Sequence, residues 1–284
     1  MTDKTMTIGA CAFCYKGWSL EQALQVLPGM GFDHISVGAN HAGGQINPIE
    51  AAANPKENAK AVKELALQYL VEWVELFLCP LTIKEGLSVE PNEPDDTLRA
   101  KMIEHFKGIA EFAASAGFQN IMSVPGNPQE GMDEKKQYDL SVDSLNQMVA
   151  IARDAGVVLT IEPHRWSILQ EVDDVKRMLA DVPELKLTMD YAHFVGKGVA
   201  EEALFDLHDA TQHLHARPAH STAFSCPYDE NTIDFAAIIA DLKKRGWQGM
   251  ISTECFGDPA TDDQLAHPAM QNLLMAADVA RAIG

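Results

Sequence analysis

Four apolar runs in the second half of the chain each end in a residue that can bind a metal ion. With that residue they read Val157-Val158-Leu159-Thr160-Ile161-Glu162, Leu185-Lys186-Leu187-Thr188-Met189-Asp190, Thr211-Gln212-His213-Leu214-His215 and Gly249-Met250-Ile251-Ser252-Thr253-Glu254. Apolar runs of this length are typical of buried strands. In a barrel of parallel strands, the carboxyl ends of the strands form the face that carries the chemistry. We therefore expect these four polar residues to meet at one site.

The rest of the chain alternates strand-like runs with segments of helical period. The earlier strands are predicted at Met6–Cys11, His34–Val37, Glu72–Leu78 and Asn120–Val124. Helix faces predicted to pack on the core carry Leu20, Ala23, Leu24 and Leu27; Leu98, Met102, Phe106, Ile109 and Ala113; Val142, Leu145, Val149 and Ala152; Phe235, Ile238, Ile239 and Leu242; and Met270, Leu273, Leu274 and Ala277. Eight strands alternating with eight helices, at about 35 residues per unit, predict an α/β protein built as a single (β/α)8 barrel. One domain is expected over residues 1–284.

Composition narrows the function classes. The chain has 284 residues, is 46% hydrophobic and carries a formal net charge of -19. A strongly acidic protein is a poor partner for nucleic acid or an anionic membrane, whereas a neutral sugar is not disfavoured. No run approaches the length of a membrane span, and the first residues lack the apolar core of a signal peptide. With five cysteines, an odd number, these features predict a cytoplasmic, reduced protein.

Each candidate ligand also has a plainer interpretation. A carboxylate such as Glu162 is costly to bury after five apolar residues unless it is paired or bound to metal, but it could instead face solvent. Asp190 could be a helix cap. His213 shares a strand face with His215 and is predicted to lie one layer deeper, as a packed core histidine. Four coincident signals at successive strand ends favour a metal site over four separate explanations.

Two glutamates, an aspartate and an imidazole form a hard, oxygen-rich ligand set. Such a set suits one divalent ion, with Mn²⁺ favoured and Mg²⁺, Co²⁺ or Zn²⁺ as alternatives. Cys11 and Cys14 form a lone CxxC motif without a second pair. They are therefore predicted to be small buried thiols rather than a zinc site.

The pattern of Glu162, Asp190 with His193, His215 with Arg217, and Glu254 resembles the xylose isomerase-like TIM barrel superfamily. This superfamily of sugar phosphate isomerases and epimerases includes ketose 3-epimerases, hydroxypyruvate isomerases, inosose dehydratases and endonuclease-IV-type enzymes. The resemblance covers essentially the whole chain.

The resemblance implies that Glu162, Asp190, His215 and Glu254 bind the metal. It also implies that Glu162 and Glu254 are the catalytic pair, which transfers protons on opposite faces of a small carbohydrate through a metal-stabilised enediolate. Residues expected to bind the substrate are His193, Arg217, His164, Trp18 and Trp166. His193 could instead hydrogen-bond a residue that binds the metal, and Trp18 and Trp166 could instead pack against the rest of the protein. Further residues placed near the barrel mouth are Phe13, Tyr15, His41 and Arg165, and His220 and Cys226 could reach it.

Departures from the pattern leave the reaction open. Arg217 stands two residues after His215, closer than in the ketose epimerases, and Ala216-Arg217-Pro218 replaces the Lys-Asp of inosose dehydratases. The third and fourth strands run into Cys79-Pro80 and Val124-Pro125, without the histidines of the endonuclease branch. We expect an isomerase or epimerase. The alternatives are a lyase using the same site, and, further away, a metal-dependent hydrolase or a non-catalytic binding barrel. A homodimer or homotetramer stays open.

Overall fold

Eight parallel strands close into a barrel in chain order, with the last strand paired to the first. A computed structural model of the chain describes residues 6–40, 45–78, 90–256 and 266–284. The strands are β1 Thr7–Cys11, β2 His34–Ala39, β3 Glu72–Leu78, β4 Asn120–Ser123, β5 Val158–Ile161, β6 Lys186–Asp190, β7 Thr211–Ala216 and β8 Met250–Thr253. The predicted (β/α)8 barrel is confirmed.

Helices surround the barrel. Among the described residues they are α1 Leu20–Leu24, α2 Pro48–Ala53, α3 Pro55–Tyr69, α4 Asp96–Ala116, α5 Glu134–Ala155, α6 Val172–Asp181, α7 Ala192–Val195, α8 Phe235–Lys244 and α9 Ala266–Ile283. The strict alternation predicted from the sequence is wrong in two units. The β2–β3 connection has two helices, because Pro55 has no backbone N–H with which to continue α2. The β6–β7 connection has the single turn α7 and then a 3₁₀ segment, Glu201–Ala210.

The ends of the strands set the position of the site residues along the barrel axis. Asp190 and His215 belong to β6 and β7 rather than following them, because the two residues are register partners in that ladder. Glu162 and Glu254 come one residue after β5 and β8, but their backbone N–H groups still donate to Ser123 and Ala216 of the neighbouring strands. All four side chains therefore start from backbone that is hydrogen-bonded to the sheet.

Local signals explain most helix boundaries and faces. Ser19 and Gln22 form a capping box at the start of α1, and Gly117 ends α4 in the left-handed region with φ of 100°. The predicted core-facing stripes of α1 and α8 are buried throughout, and those of α4 and α5 are buried apart from the partly exposed Leu98 and Val142.

The predicted orientation of α9 is wrong. Met270 and Leu273 are 57% and 41% exposed, whereas the buried face carries Asn272, Met275 and Val279. Asn272 explains the rotation, because its side chain accepts from the Cys255 N–H and donates to the Cys255 and Pro268 carbonyls. These bonds turn its face of the helix toward the barrel.

Within the described parts of the chain, no helix combines the length and the apolar character needed to span a membrane.

Candidate active site

The four predicted metal ligands converge at the carboxyl end of the barrel. His215 Nδ1 lies 3.1 Å from Glu162 Oε1 and 3.5 Å from Glu254 Oε2. His193 Nε2 lies 3.5 Å from Asp190 Oδ2 and 3.7 Å from Glu162 Oε2. None of these five residues is more than 7% exposed. The strands β5 to β8 thus bring together three carboxylates and two imidazoles that lie far apart in the sequence.

The donor set fits a divalent cation. Potential ligand atoms of Glu162, His215 and Glu254 lie within 4.8 Å of one another, and so do those of Glu162, Asp190 and His193. Within the described residues, the buried oxygen Glu254 Oε2 has no hydrogen-bond partner, whereas Asp190 Oδ2 is in contact with Arg217. Leaving a buried carboxylate oxygen without a hydrogen bond is costly, so a divalent ion bound by Glu254 would relieve that cost.

The electrostatics show how tightly the groups interact. Burial by itself would lower the pKa of His215, but the carboxylates of Glu254, Glu75 and Glu162 raise it well above its usual range. Burial would raise the pKa of Glu162, but His193 and His215 hold it well below its usual range. The pKa of Asp190 is raised, mainly by burial. Because these carboxylates favour the charged form of His215, a metal ion that bound its imidazole would have to displace a proton.

Arg217 supplies a fixed positive charge inside this cluster. It is 4% exposed, contacts Asp190 Oδ2 through Nη2, and donates to His193 Nε2 over 2.8 Å. Its Nη1 atom is 3.7 Å from Glu254 Oε2. Burial opposes the charge, but Asp190, Glu254 and Glu162 raise the pKa of Arg217 above its usual value. Arg217 directly follows β7, and its two-residue spacing from His215 keeps both side chains on the same side of the extended backbone.

One side of the barrel mouth is an aromatic wall. His193 stacks on Phe224 with ring centroids 6.0 Å apart, and Trp166 meets Phe224 edge-on at 5.0 Å. His164 lies 5.8 Å from His193, and burial lowers the pKa of His164 to about 4. The structure thus brings His164, Trp166 and His193 together. Phe224 was not predicted, because it lies in the long connection after β7 and sequence alone does not give the path of that loop.

On the β1 side of the mouth, Phe13 lies 6.2 Å from the His215 ring, whereas the ring contact of Trp18 is with Tyr15, at 5.6 Å. Phe13 also contacts Phe77 and Phe256, which were not predicted.

His220 and Cys226 are the two other candidates for residues that reach the barrel mouth. His220 lies 3.2 Å from the Thr222 hydroxyl and 3.9 Å from Glu230, and burial raises the pKa of Cys226 to about 11. His41 and Cys79 fall outside the described residues.

Sequence reasoning also missed Glu75, in the middle of β3. It is fully buried, and its Oε1 atom accepts from His215 Nε2 at 2.9 Å. Its other oxygen accepts from Thr188 Oγ1 at 2.5 Å and from Asn120 Nδ2 at 2.9 Å. The available signal was a charged residue inside the apolar run from Trp73 to Leu78, since buried carboxylates are rare unless paired.

Comparisons with known proteins agree with this architecture. Inosose dehydratase of Geobacillus thermodenitrificans is 22% identical over 191 residues, and the match spans 55% of this chain and 64% of that enzyme. The structure of a D-tagatose 3-epimerase-like protein superposes with a TM-score of 0.75 at 18% identity, covering 98% of both chains. The IolI protein with a bound zinc atom gives a TM-score of 0.71 at 17% identity, also covering 98% of both chains.

These structural likenesses concern the fold, because their sequence identities are low. A family model described as the xylose isomerase-like TIM barrel matches residues 24–277, which is most of the chain. The chain therefore belongs to the xylose isomerase-like TIM barrel family.

Proposed function

We propose that this chain is a divalent-metal-dependent sugar isomerase or epimerase that acts by proton transfer beside a carbonyl group. The observation that carries the proposal is the placement of Glu162 and Glu254. Both carboxylates lie within 3.5 Å of His215 Nδ1, and they approach it from β5 and β8, on either side of the ligand-bearing strands β6 and β7. Two buried carboxylates around one metal ligand can reach a small substrate from two sides.

The metal would be held by Glu162, Asp190, His215 and Glu254. We favour Mn²⁺, and Mg²⁺, Co²⁺ or Zn²⁺ also suit this donor set. Once bound, the ion supplies Lewis-acid polarisation of a substrate carbonyl and its neighbouring hydroxyl, which makes the carbon-bound proton more acidic.

The side chains would then carry the proton transfer. One of Glu162 and Glu254 removes the proton from the carbon beside the carbonyl, and the other returns a proton to the opposite face. The guanidinium of Arg217 donates toward the oxygen on which negative charge develops. Its Nε group, which is buried and lacks a hydrogen-bond partner among the described residues, is a donor available for this purpose. His193 would hold a second substrate oxygen.

Selection of the substrate would fall to the aromatic wall. We propose that Trp166, His164 and Phe224 pack against the apolar face of a sugar or cyclic polyol, as aromatic residues do at such mouths. Trp18 stays a prediction, since its ring contact is with Tyr15. The substrate is a small carbohydrate. The net charge of -19 disfavours nucleic acid as a partner. We expect a single domain over residues 1–284 and a cytoplasmic location.

A lyase is the second candidate, and the inosose dehydratase relatives favour it. Removal of the same proton followed by loss of water from the next carbon would use the same residues.

The zinc in the related IolI structure supports the metal proposal, and the epimerases among the structural neighbours support the isomerase proposal.

Product identification tests the proposal and separates the two candidates. Purified protein with Mn²⁺ would be incubated with ketoses and inososes, with a chelator-treated sample as the control, and the products analysed by carbon NMR. An isomer formed only with metal supports the proposal. A dehydrated product would move the protein to the lyases. Turnover that is unaffected by complete metal removal would contradict both candidates.

A further inference from the structure

Glu75 lies one layer deeper in the barrel than the predicted metal ligands. We propose that Glu75 is a positioning residue, which fixes the ring of His215 so that Nδ1 faces the metal and Nε2 keeps its proton. This inference rests on the metal site of the proposed function. It adds to that site a residue that would not touch the metal or the substrate.

The two ring nitrogens of His215 have different partners. Nδ1 points to the site, where Glu162 and Glu254 lie at 3.1 and 3.5 Å. Nε2 points into the barrel, where Glu75 Oε1 lies at 2.9 Å. Both Glu75 and His215 are completely buried. A ring rotated by 180° would put carbon atoms against both sets of carboxylates, so the observed orientation is the one in which both nitrogens are paired.

Glu75 is itself held in place by the neighbouring strands. Its second oxygen accepts from Thr188 of β6 and from Asn120 of β4, and both of these side chains contact the hydroxyl of Thr160 of β5. Side chains of three strands thus hold the carboxylate in the position from which it contacts His215. This arrangement restrains the position of the ring more than a single flexible partner could.

The carboxylate is an acceptor in this setting. Its Oε2 atom accepts from both Thr188 Oγ1 and Asn120 Nδ2, as an ionised carboxylate does. The hydrogen of the remaining bond, between Glu75 Oε1 and His215, is therefore assigned to His215 Nε2. With Nε2 protonated, Nδ1 is the nitrogen left to bind a metal. Histidine ligands in metal sites are commonly oriented by such a carboxylate.

A second metal ion at Glu75, His213 and His215 is the competing explanation, because potential ligand atoms of these three lie within 4.8 Å of one another. The contacts favour the hydrogen bond. One Glu75 oxygen already accepts two hydrogen bonds, and the other lies at hydrogen-bond distance, 2.9 Å, from His215 Nε2. His213 meets the His215 ring edge-on, with centroids 5.3 Å apart.

The test compares metal affinity in three proteins. Glu75→Gln keeps the shape of the side chain but removes its charge, and a carbonyl oxygen is a weaker partner for the His215 N–H. We expect Glu75→Gln to bind Zn²⁺ and Mn²⁺ about 10- to 100-fold more weakly than the unmodified chain in isothermal titration calorimetry. The matched control is Ser36→Ala, which removes another fully buried polar group of the barrel, one that pairs with Ser252. It should bind metal like the unmodified chain.

Nitrogen NMR of the histidine rings gives a readout that does not depend on activity. In the Zn²⁺-loaded unmodified chain, His215 should show a protonated Nε2 protected from exchange, and metal bound at Nδ1. In Glu75→Gln that proton should exchange faster. Metal bound at Nε2, or equal affinities in Glu75→Gln and the unmodified chain, would overturn the role of Glu75 alone. Failure of the unmodified chain to bind any divalent ion would overturn the metal site and this inference together.

Discussion

Arg217 forms an ion pair with Asp190 inside the cluster of carboxylates at the barrel mouth. Both side chains are almost completely buried, and the guanidinium also approaches His193 and Glu254. In the metal-free protein this cation offsets part of the negative charge of the site. Arg217 and a bound metal should therefore stabilise the same carboxylates. Loss of either one should reduce the free energy of unfolding most when the other is absent.

Arg217→Gln should accordingly destabilise the metal-free protein by about 3–5 kcal/mol, because it leaves Asp190 buried without its partner. Added Mn²⁺ should restore part of that loss. Urea unfolding in chelator and in Mn²⁺ measures both effects. Arg153→Gln, which removes an exposed pair with Glu184 at 3.0 Å, is the control and should cost no more than about 1 kcal/mol. An identical loss for Arg217→Gln with and without metal would contradict this account.

Glu162→Gln and Glu254→Gln test the proton-transfer pair. Each change keeps the side-chain volume but removes a group that must gain and lose a proton, so turnover should fall by at least about 100-fold. Circular dichroism should show that both variants are folded. Glu64→Gln on the exposed face of α3 should retain full activity. Near-normal turnover in either site variant would exclude that residue as an acid or base.

The stability of the protein should fall as the pH drops below about 6.5. Burial lowers the pKa of His208 from its usual 6.5, although Asp241, 2.8 Å from its Nδ1, partly opposes the shift. The unfolded chain then binds a proton at a higher pH than the native protein does. The stabilising contribution is therefore complete above pH 6.5 and is lost as the pH falls toward the native pKa.

Denaturant unfolding between pH 8 and pH 5 measures this slope, with His208→Gln as the comparison. The variant should show a shallower dependence than the unmodified chain. His164 and His213, whose pKa values burial lowers to about 4, contribute equally to both proteins. A slope of the same size in both would show that His208 is not the group responsible.

The sequence predicted the barrel and the convergence of the four candidate metal ligands at its mouth because both depend on local patterns. An apolar run that ends in a carboxylate or histidine marks both a strand and the end of the barrel to which it points, and this held for Glu162, Asp190, His215 and Glu254. The stripes of α1 and α8 were predicted for the same reason, since each helix has one apolar face.

What failed depends on packing between distant segments. Helix α9 has two apolar faces, and the hydrogen bonds of Asn272 to the segment after β8 decide which one is buried. The partner of Glu75 is known only when β3 lies across the barrel from β7, because His215 is 140 residues away in the sequence. Phe224 reaches the mouth through a loop whose path has no local signature. In each case the missing information is a contact made by tertiary structure.

Hydrogen exchange into a substrate tests the central claim most directly. The Mn²⁺-loaded protein would be incubated in D₂O with ketoses and inososes, the metal removed, and the products examined by proton NMR. We predict deuterium on the carbon beside the carbonyl for at least one substrate, with none in the chelator-treated protein or in Glu162→Gln and Glu254→Gln. A product formed by the unmodified chain without deuterium at that carbon would contradict proton transfer by Glu162 and Glu254.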